Sequence, residues 1–174
     1  MTHTAERQGD TVSVTDEMLA ANESFAAGFT DGGQPGPPSR HVAVVACMDA
    51  RLDVYRTLGL GPGEAHVIRN AGGVVTDDVL RSLTISQRKL QTTEVVLVHH
   101  TKCGMATFAD DEFVGELESA CGQKPSWAPG AFSDTEQDVR DSLAAVRSCP
   151  FLLHTDAVRG FVVDVDTGRL SEVG

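Results

Sequence analysis

HVAVVACMDAR, His41 to Arg51, carries an almost continuously apolar run directly into Cys47, Asp49 and Arg51. A short run of this kind, rich in valine, suits a strand whose two faces are both covered. Two further runs repeat the theme, EAHVIRN over 64–70 and TEVVLVH over 93–99. Helical periodicity fills the gaps, in LDVYRTLGL (52–60) and in GGVVTDDVLRSLTISQRKL (72–90). In the second of these, Val75, Val79, Leu83 and Leu90 fall near one face, with Arg81, Gln87, Arg88 and Lys89 opposite. DDEFVGELESACG (110–122) and DTEQDVRDSLAAVRSCP (134–150) also read as helices, the latter opened by acidic residues and stopped by Pro150. The tail predicts a strand over Phe161–Val165, a turn at Asp166-Thr167-Gly168 and a short return strand. Strands alternating with helices imply right-handed crossovers. The fold class is therefore α/β, a mostly parallel central sheet flanked by helices, with a C-terminal antiparallel hairpin strand.

Upstream, SVTDEMLAANESFAAGF predicts an N-terminal helix over 13–28, with Ser13 or Thr15 as its cap and Met18, Leu19, Ala21, Phe25 and Ala26 along one stripe. Residues 1–12 read as a loose arm, TDGGQPGPPSR as a connector, and 40–174 as the core of a single domain spanning 1–174. A chain of 174 residues buries enough surface for one core. Its 14 basic and 25 acidic residues give a formal charge of −11, which repels nucleic acid and anionic membrane surfaces, so neither is expected as a partner. The first eighteen residues show no secretory or transit pattern and no run reaches the ~20 apolar residues of a membrane span, so a cytoplasmic protein is expected. Four cysteines without small-domain spacing fit metal binding or catalysis better than a disulfide framework.

In an open parallel sheet, the loops leaving the carboxyl ends of the strands line the ligand crevice. If the first and third runs are neighbours, Cys47 meets His100 and Cys103 of HHTKCG (99–104) there. Two thiolates and one imidazole suit Zn²⁺, one per chain, and leave a fourth position open. Asp49 and Arg51 project to the same side as Cys47; the aspartate has two possible partners, the guanidinium and the metal. Asn70, Ala71, Gly72 and Gly73 predict a turn whose backbone passes close to the metal pocket and walls a small substrate. His99 points away from His100, towards packing or a supporting hydrogen bond. Cys121 and Cys149 read as core residues, and His41, His66 and His154 as structural or exposed. A cysteine phosphatase is excluded, because its loop needs an arginine six positions after the cysteine and residue 53 is aspartate.

CMDAR (47–51), IRNAGG (68–73) and HHTKCG (99–104), in this order and spacing, resemble the C-x-D-x-R, R-N-A-G and H-x-x-C signatures of the beta-class carbonic anhydrases, and GFVVDVDTGRL resembles the family's tail. The wording is similar to the short bacterial branch. The resemblance implies zinc on Cys47, His100 and Cys103, with Asp49 either paired to Arg51 or acting as the fourth ligand. It implies reversible hydration of CO2 to bicarbonate and a proton by zinc-bound hydroxide. It also implies a homodimer or dimer of dimers in which the N-terminal helix reaches over the partner. Ala50 and Lys102 depart from the residues common in the family. Alternatives are a carbon disulfide or carbonyl sulfide hydrolase on the same scaffold, and a non-catalytic homologue with structural zinc.

Overall fold

The structure, a computed structural model, describes residues 12–174. The arm expected over residues 1–12 thus lies outside the described residues, Val12 excepted. The chain divides into two compact units after Gln34. In the first, Val14–Ala27 form α1. Ser13 caps it, with the Ser13 hydroxyl accepting from the Asp16 N–H while the Asp16 carboxylate accepts from the Ser13 N–H. None of its residues is buried, and Met18, Leu19 and Phe25 lie open.

The second unit is built on a five-stranded sheet of order β2-β1-β3-β4-β5. Its strands are β1 (Val42–Cys47), β2 (Ala65–Asn70), β3 (Glu94–His100), β4 (Val158–Val163) and β5 (Leu170–Val173). β1 pairs in parallel with both β2 and β3, β3 in parallel with β4, and β4 antiparallel with β5. The expected architecture is the one observed. β1 reads as continuously apolar because both of its faces are covered. Ala43 and Val45 join Val95 and Leu97 in a core against Val79 and Leu83 of α3 (Asp77–Leu90) and Val139, Leu143 and Val146 of α5 (Thr135–Ser148). Val44 and Ala46 face the other way, in a cluster that also holds Cys47 at the strand end, Leu52, Val98, Cys103, Val163 and Val54 at the start of α2 (Val54–Leu58). At Gly160 a Cβ would collide with Val139 and Leu143, so the glycine lets α5 lie directly on β4.

Several boundaries differ from the sequence reading. The expected long helix over 72–90 begins only at Asp77: Ala71–Gly73 form a 3₁₀ turn, Gly72 and Gly73 take positive φ, Val74 is extended, and Thr76 caps α3. Gln87 belongs to the buried side and not the polar one, because its carboxamide oxygen accepts from the N–H groups of Leu153 and His154 and its NH2 donates to the His154 carbonyl. A polar residue is tolerated there because every strong group finds a partner. The tail strand starts at Val158, before the expected Phe161, since its pairing with β3 extends back to Val95. Cys121 is exposed, not core, for it ends α4 (Asp110–Cys121), a helix with no buried residue; Cys149 is buried as expected. No helix among the described residues is long and apolar enough to cross a membrane.

Candidate metal centre

The central place of β1 brings the two quoted junctions together. Cys47 is the last residue of β1 and His100 the last of β3, so adjacent parallel strands deliver both to one edge of the sheet. Cys103 follows three residues later, after a turn in which Lys102 takes the left-handed conformation, φ 55°. Cys47, His100 and Cys103 are all buried, and their donor atoms lie within 4.8 Å of one another. The two Sγ atoms stand 3.9 Å apart, far beyond the ~2.05 Å of a disulfide bond. Two sulfurs about 2.3 Å from a common tetrahedral centre would be separated by ~3.8 Å.

The histidine supplies a second test of fit. His100 Nδ1 pairs with the Thr101 carbonyl at 3.0 Å, which places the proton on Nδ1 and leaves the lone pair on Nε2. That Nε2 is fully buried and has no hydrogen-bond partner, a state that costs about 1–3 kcal/mol unless something binds it. An orphaned imidazole nitrogen beside two thiols fits a borderline-soft cation such as Zn²⁺ and does not fit Mg²⁺ or Ca²⁺.

Burial pushes the Cys47 thiol up, but the neighbouring His100 side chain and the N–H groups of Asp49 and Gly72 outweigh it and bring the thiol down to about 7. Burial pushes Cys103 up to about 11, where only the Met105 N–H opposes it while the Cys47 charge adds to the rise. The His100 imidazole is raised, chiefly by Cys47. A metal ion must therefore displace protons. Titrating zinc into the metal-free protein in weak buffer should, once the proton of metal-bound water is subtracted, draw about one thiol proton per chain near pH 9, from Cys103, and about two near pH 6, from Cys103 and Cys47. A release that does not grow as pH falls would contradict this order.

Asp49 and Arg51 form a two-pronged pair at the rim: Nε donates to Oδ1 at 2.9 Å and Nη2 to Oδ2 at 2.7 Å. The Arg51 guanidinium and its own N–H hold the Asp49 carboxyl well below the usual carboxylate range against the opposing effect of burial. Asp49 Oδ2 is also 3.8 Å from His100 Nε2, within reach of the space the three donors enclose. Arg51 Nη2 makes a second bond, to the Lys102 carbonyl at 2.9 Å.

A cavity of about 320 Å³ opens on this group, with Cys47, Asp49 and Cys103 on one wall and Ala71, Gly72, Met105 and Phe108 on the apolar side. Of the four residues expected to wall a substrate, Ala71 and Gly72 line it. Asn70 instead donates to the Val74 carbonyl, and Gly73 packs under the Cys47 main chain. His99 is fully buried, turned from the centre, and paired through Nε2 with Asp138 Oδ2 at 2.6 Å. His66 bonds Ser86 Oγ, and His41 bonds the Gln91 carbonyl. One contributor escaped the sequence reading: Arg69 donates to the Cys47 carbonyl at 2.9 Å and the Asp49 carbonyl at 2.8 Å, clamping the main chain that carries both side chains. The available signal was its place one residue before Asn70, which pairs in register with Cys47.

The carbonic anhydrase family model matches residues 42–122. Beta-carbonic anhydrase 1 of Mycobacterium tuberculosis strain H37Rv is 56% identical over 162 residues, which cover 93% of this chain and 99% of that one. The chain belongs to the beta-carbonic anhydrase family. Among solved structures, the carbonic anhydrase of Streptococcus mutans superposes with a TM-score of 0.88 at 40% identity, covering 94% of this chain and 99% of that one. A carbon disulfide hydrolase of Acidithiobacillus thiooxidans is 32% identical, covering 79% of this chain and 75% of its own. The relatives of this chain thus include both a carbonic anhydrase and a carbon disulfide hydrolase, and it resembles the first more strongly and over a greater share of its length.

Proposed function

We propose that this beta-carbonic anhydrase family member hydrates CO2 reversibly to bicarbonate and a proton, in the cytoplasm, with one zinc ion held by Cys47, His100 and Cys103. The observation that carries the reading is the buried, unpartnered His100 Nε2 facing two thiols, with a carboxylate 3.8 Å away that is itself clasped by an arginine. Zinc at such a site supplies Lewis acidity that makes water a nucleophile near neutral pH. The chain's own residues do the rest. Ala71, Gly72, Met105 and Phe108 give an apolar wall suited to a small gas without charge or dipole. Asp49, kept ionised by Arg51, accepts a hydrogen bond from the attacking water and fixes its direction. Were Arg51 to release it, the same carboxylate would fill the fourth position and stop the reaction. Arg69 and the Gly72 N–H keep the Cys47 segment in place throughout.

The exposed apolar stripe of α1, Met18, Leu19 and Phe25, supports a dimer in which this helix packs on a second copy. A homodimer or dimer of dimers follows from that reading.

Stopped-flow CO2 hydration on protein of measured zinc content tests the proposal. Hydration should track zinc up to about one ion per chain, and Asp49→Ala should keep the metal while lowering kcat by about 10²-fold or more. Carbon disulfide turnover belongs in the same preparation, given the A. thiooxidans relative. Rapid carbon disulfide hydrolysis with no CO2 hydration would replace the reading by the other activity.

A further inference from the structure

Two residues of the metal loop, Thr101 and Lys102, are gripped by the turn that joins β4 to β5. The Thr101 N–H donates to the Val163 carbonyl at 2.9 Å, its hydroxyl accepts from the Val165 N–H at 3.1 Å, and Lys102 Nζ donates to the Asp166 carboxylate. The turn is itself stiff, since Asp164 Oδ1 accepts from the N–H groups of both Asp166 and Thr167. Lys102 is one of only three non-glycine residues with positive φ among those described. A lysine adopts that conformation only where its surroundings over-determine it. The conformation turns the Lys102 carbonyl onto Arg51 Nη2, the nitrogen that also donates to Asp49 Oδ2.

We propose that Asp166 is a positioning residue of the Asp49–Arg51 pair: through Lys102 it holds the carbonyl that seats Arg51, and so keeps Asp49 off the metal. The inference rests on the reading of Asp49 as a residue with two partners. Arg51 is half exposed, and among the described residues its Nη2 bonds only Asp49 Oδ2 and the Lys102 carbonyl. Without the Lys102 carbonyl it holds Asp49 less firmly, and the carboxylate passes more of its time in the fourth position. Lys102 and Asp166 are both more than half exposed, so the effect is a few-fold bias and not an absolute switch.

The test reads occupancy of the fourth position without activity. Cobalt(II)-substituted protein is titrated with azide at fixed pH and low salt, following the visible spectrum, for the parent, Asp166→Ala, the charge-exchanged pair Lys102→Asp with Asp166→Lys, and Asp49→Ala. Azide should bind about two- to fivefold more weakly to Asp166→Ala, because Asp49 competes for the site, and return to within about twofold of the parent in the exchanged pair. Simple charge removal predicts the opposite sign, since losing an acidic group near an anion site tightens anion binding. Azide affinity unchanged or tighter in Asp166→Ala, or equally weakened in the exchanged pair, overturns the proposal. Asp49→Ala should bind azide more tightly than the parent. If it does not, the two-partner reading of Asp49 fails, and the role of Asp166 fails with it.

Discussion

Replacing Cys103 by alanine should reduce zinc affinity by far more than 100-fold and bring CO2 hydration down to the rate without enzyme. Loss of a group that merely orients a ligand costs 10- to 100-fold in affinity, and Cys103 is proposed as a ligand itself. The change is small for the metal-free fold. Cys103 sits in a buried cluster with Cys47, Val98 and Val163, so trimming its sulfur leaves a small cavity costing about 1–2 kcal/mol. Metal-free parent and variant should therefore unfold within a few degrees of one another, while the zinc-loaded parent unfolds well above both. Elemental analysis, melting curves and stopped-flow rates check all three points together. A variant that keeps one zinc per chain and hydrates CO2 would show that the donors have been misassigned.

Gly73→Ala should damage fold and site at once. Gly73 has φ 74°, and a Cβ there would lie 2.8 Å from the Cys47 nitrogen and 3.0 Å from the Ala46 carbonyl carbon. Main chain in the centre of a sheet does not yield as a flexible side chain does. The left-handed conformation costs about 1–2 kcal/mol for alanine, and overpacking adds about 1–3 kcal/mol. A loss of about 3 kcal/mol corresponds to a melting temperature lower by roughly 6–12 °C at this chain length. The atom struck belongs to Cys47, so zinc affinity should fall with stability. Gly168→Ala is the control: its φ is 71° but nothing lies within 4 Å of the added carbon, so only the conformational cost remains. Equal melting temperatures for the two variants would show that the Gly73 contact is not what the site depends on.

The contrast between these glycines shows what was legible in the sequence. Buried strands declare themselves: the valine runs at 42–46 and 95–98 have no room for polar residues, but that β1 and β3 are neighbours delivering Cys47 and His100 to one edge was only a condition in the sequence, and the observed pairing supplies it. Granted that adjacency, the grouping of Cys47, His100 and Cys103 was legible, because the two thiols and the imidazole stand at the ends of those two strands. Features that depend on backbone dihedrals or on distant partners were not. GGVV was read into a helix because valine at position 75 fits the helical stripe, whereas the positive φ of Gly72 and Gly73 and the extended Val74 interrupt any helix there and move its start to Asp77. Gln87 read as polar surface because its partners, Leu153 and His154, lie more than sixty positions along the chain. Cys121 read as core because a cysteine usually is, and only the absence of packing along α4 reveals otherwise. Arg69 stood in the R-N-A-G signature, but its carbonyl partners, like the ion pair of Asp166, lie on other segments of the chain and were not legible.

X-ray absorption at the zinc K edge of the purified, zinc-loaded protein tests the central claim most directly. Coordination by Cys47, Cys103 and His100 predicts two sulfur neighbours at about 2.3 Å and two nitrogen or oxygen neighbours at about 2.0–2.1 Å, with imidazole scattering that disappears in His100→Ala. A first shell of oxygen and nitrogen alone, or one that Cys47→Ala leaves unchanged, would contradict the account.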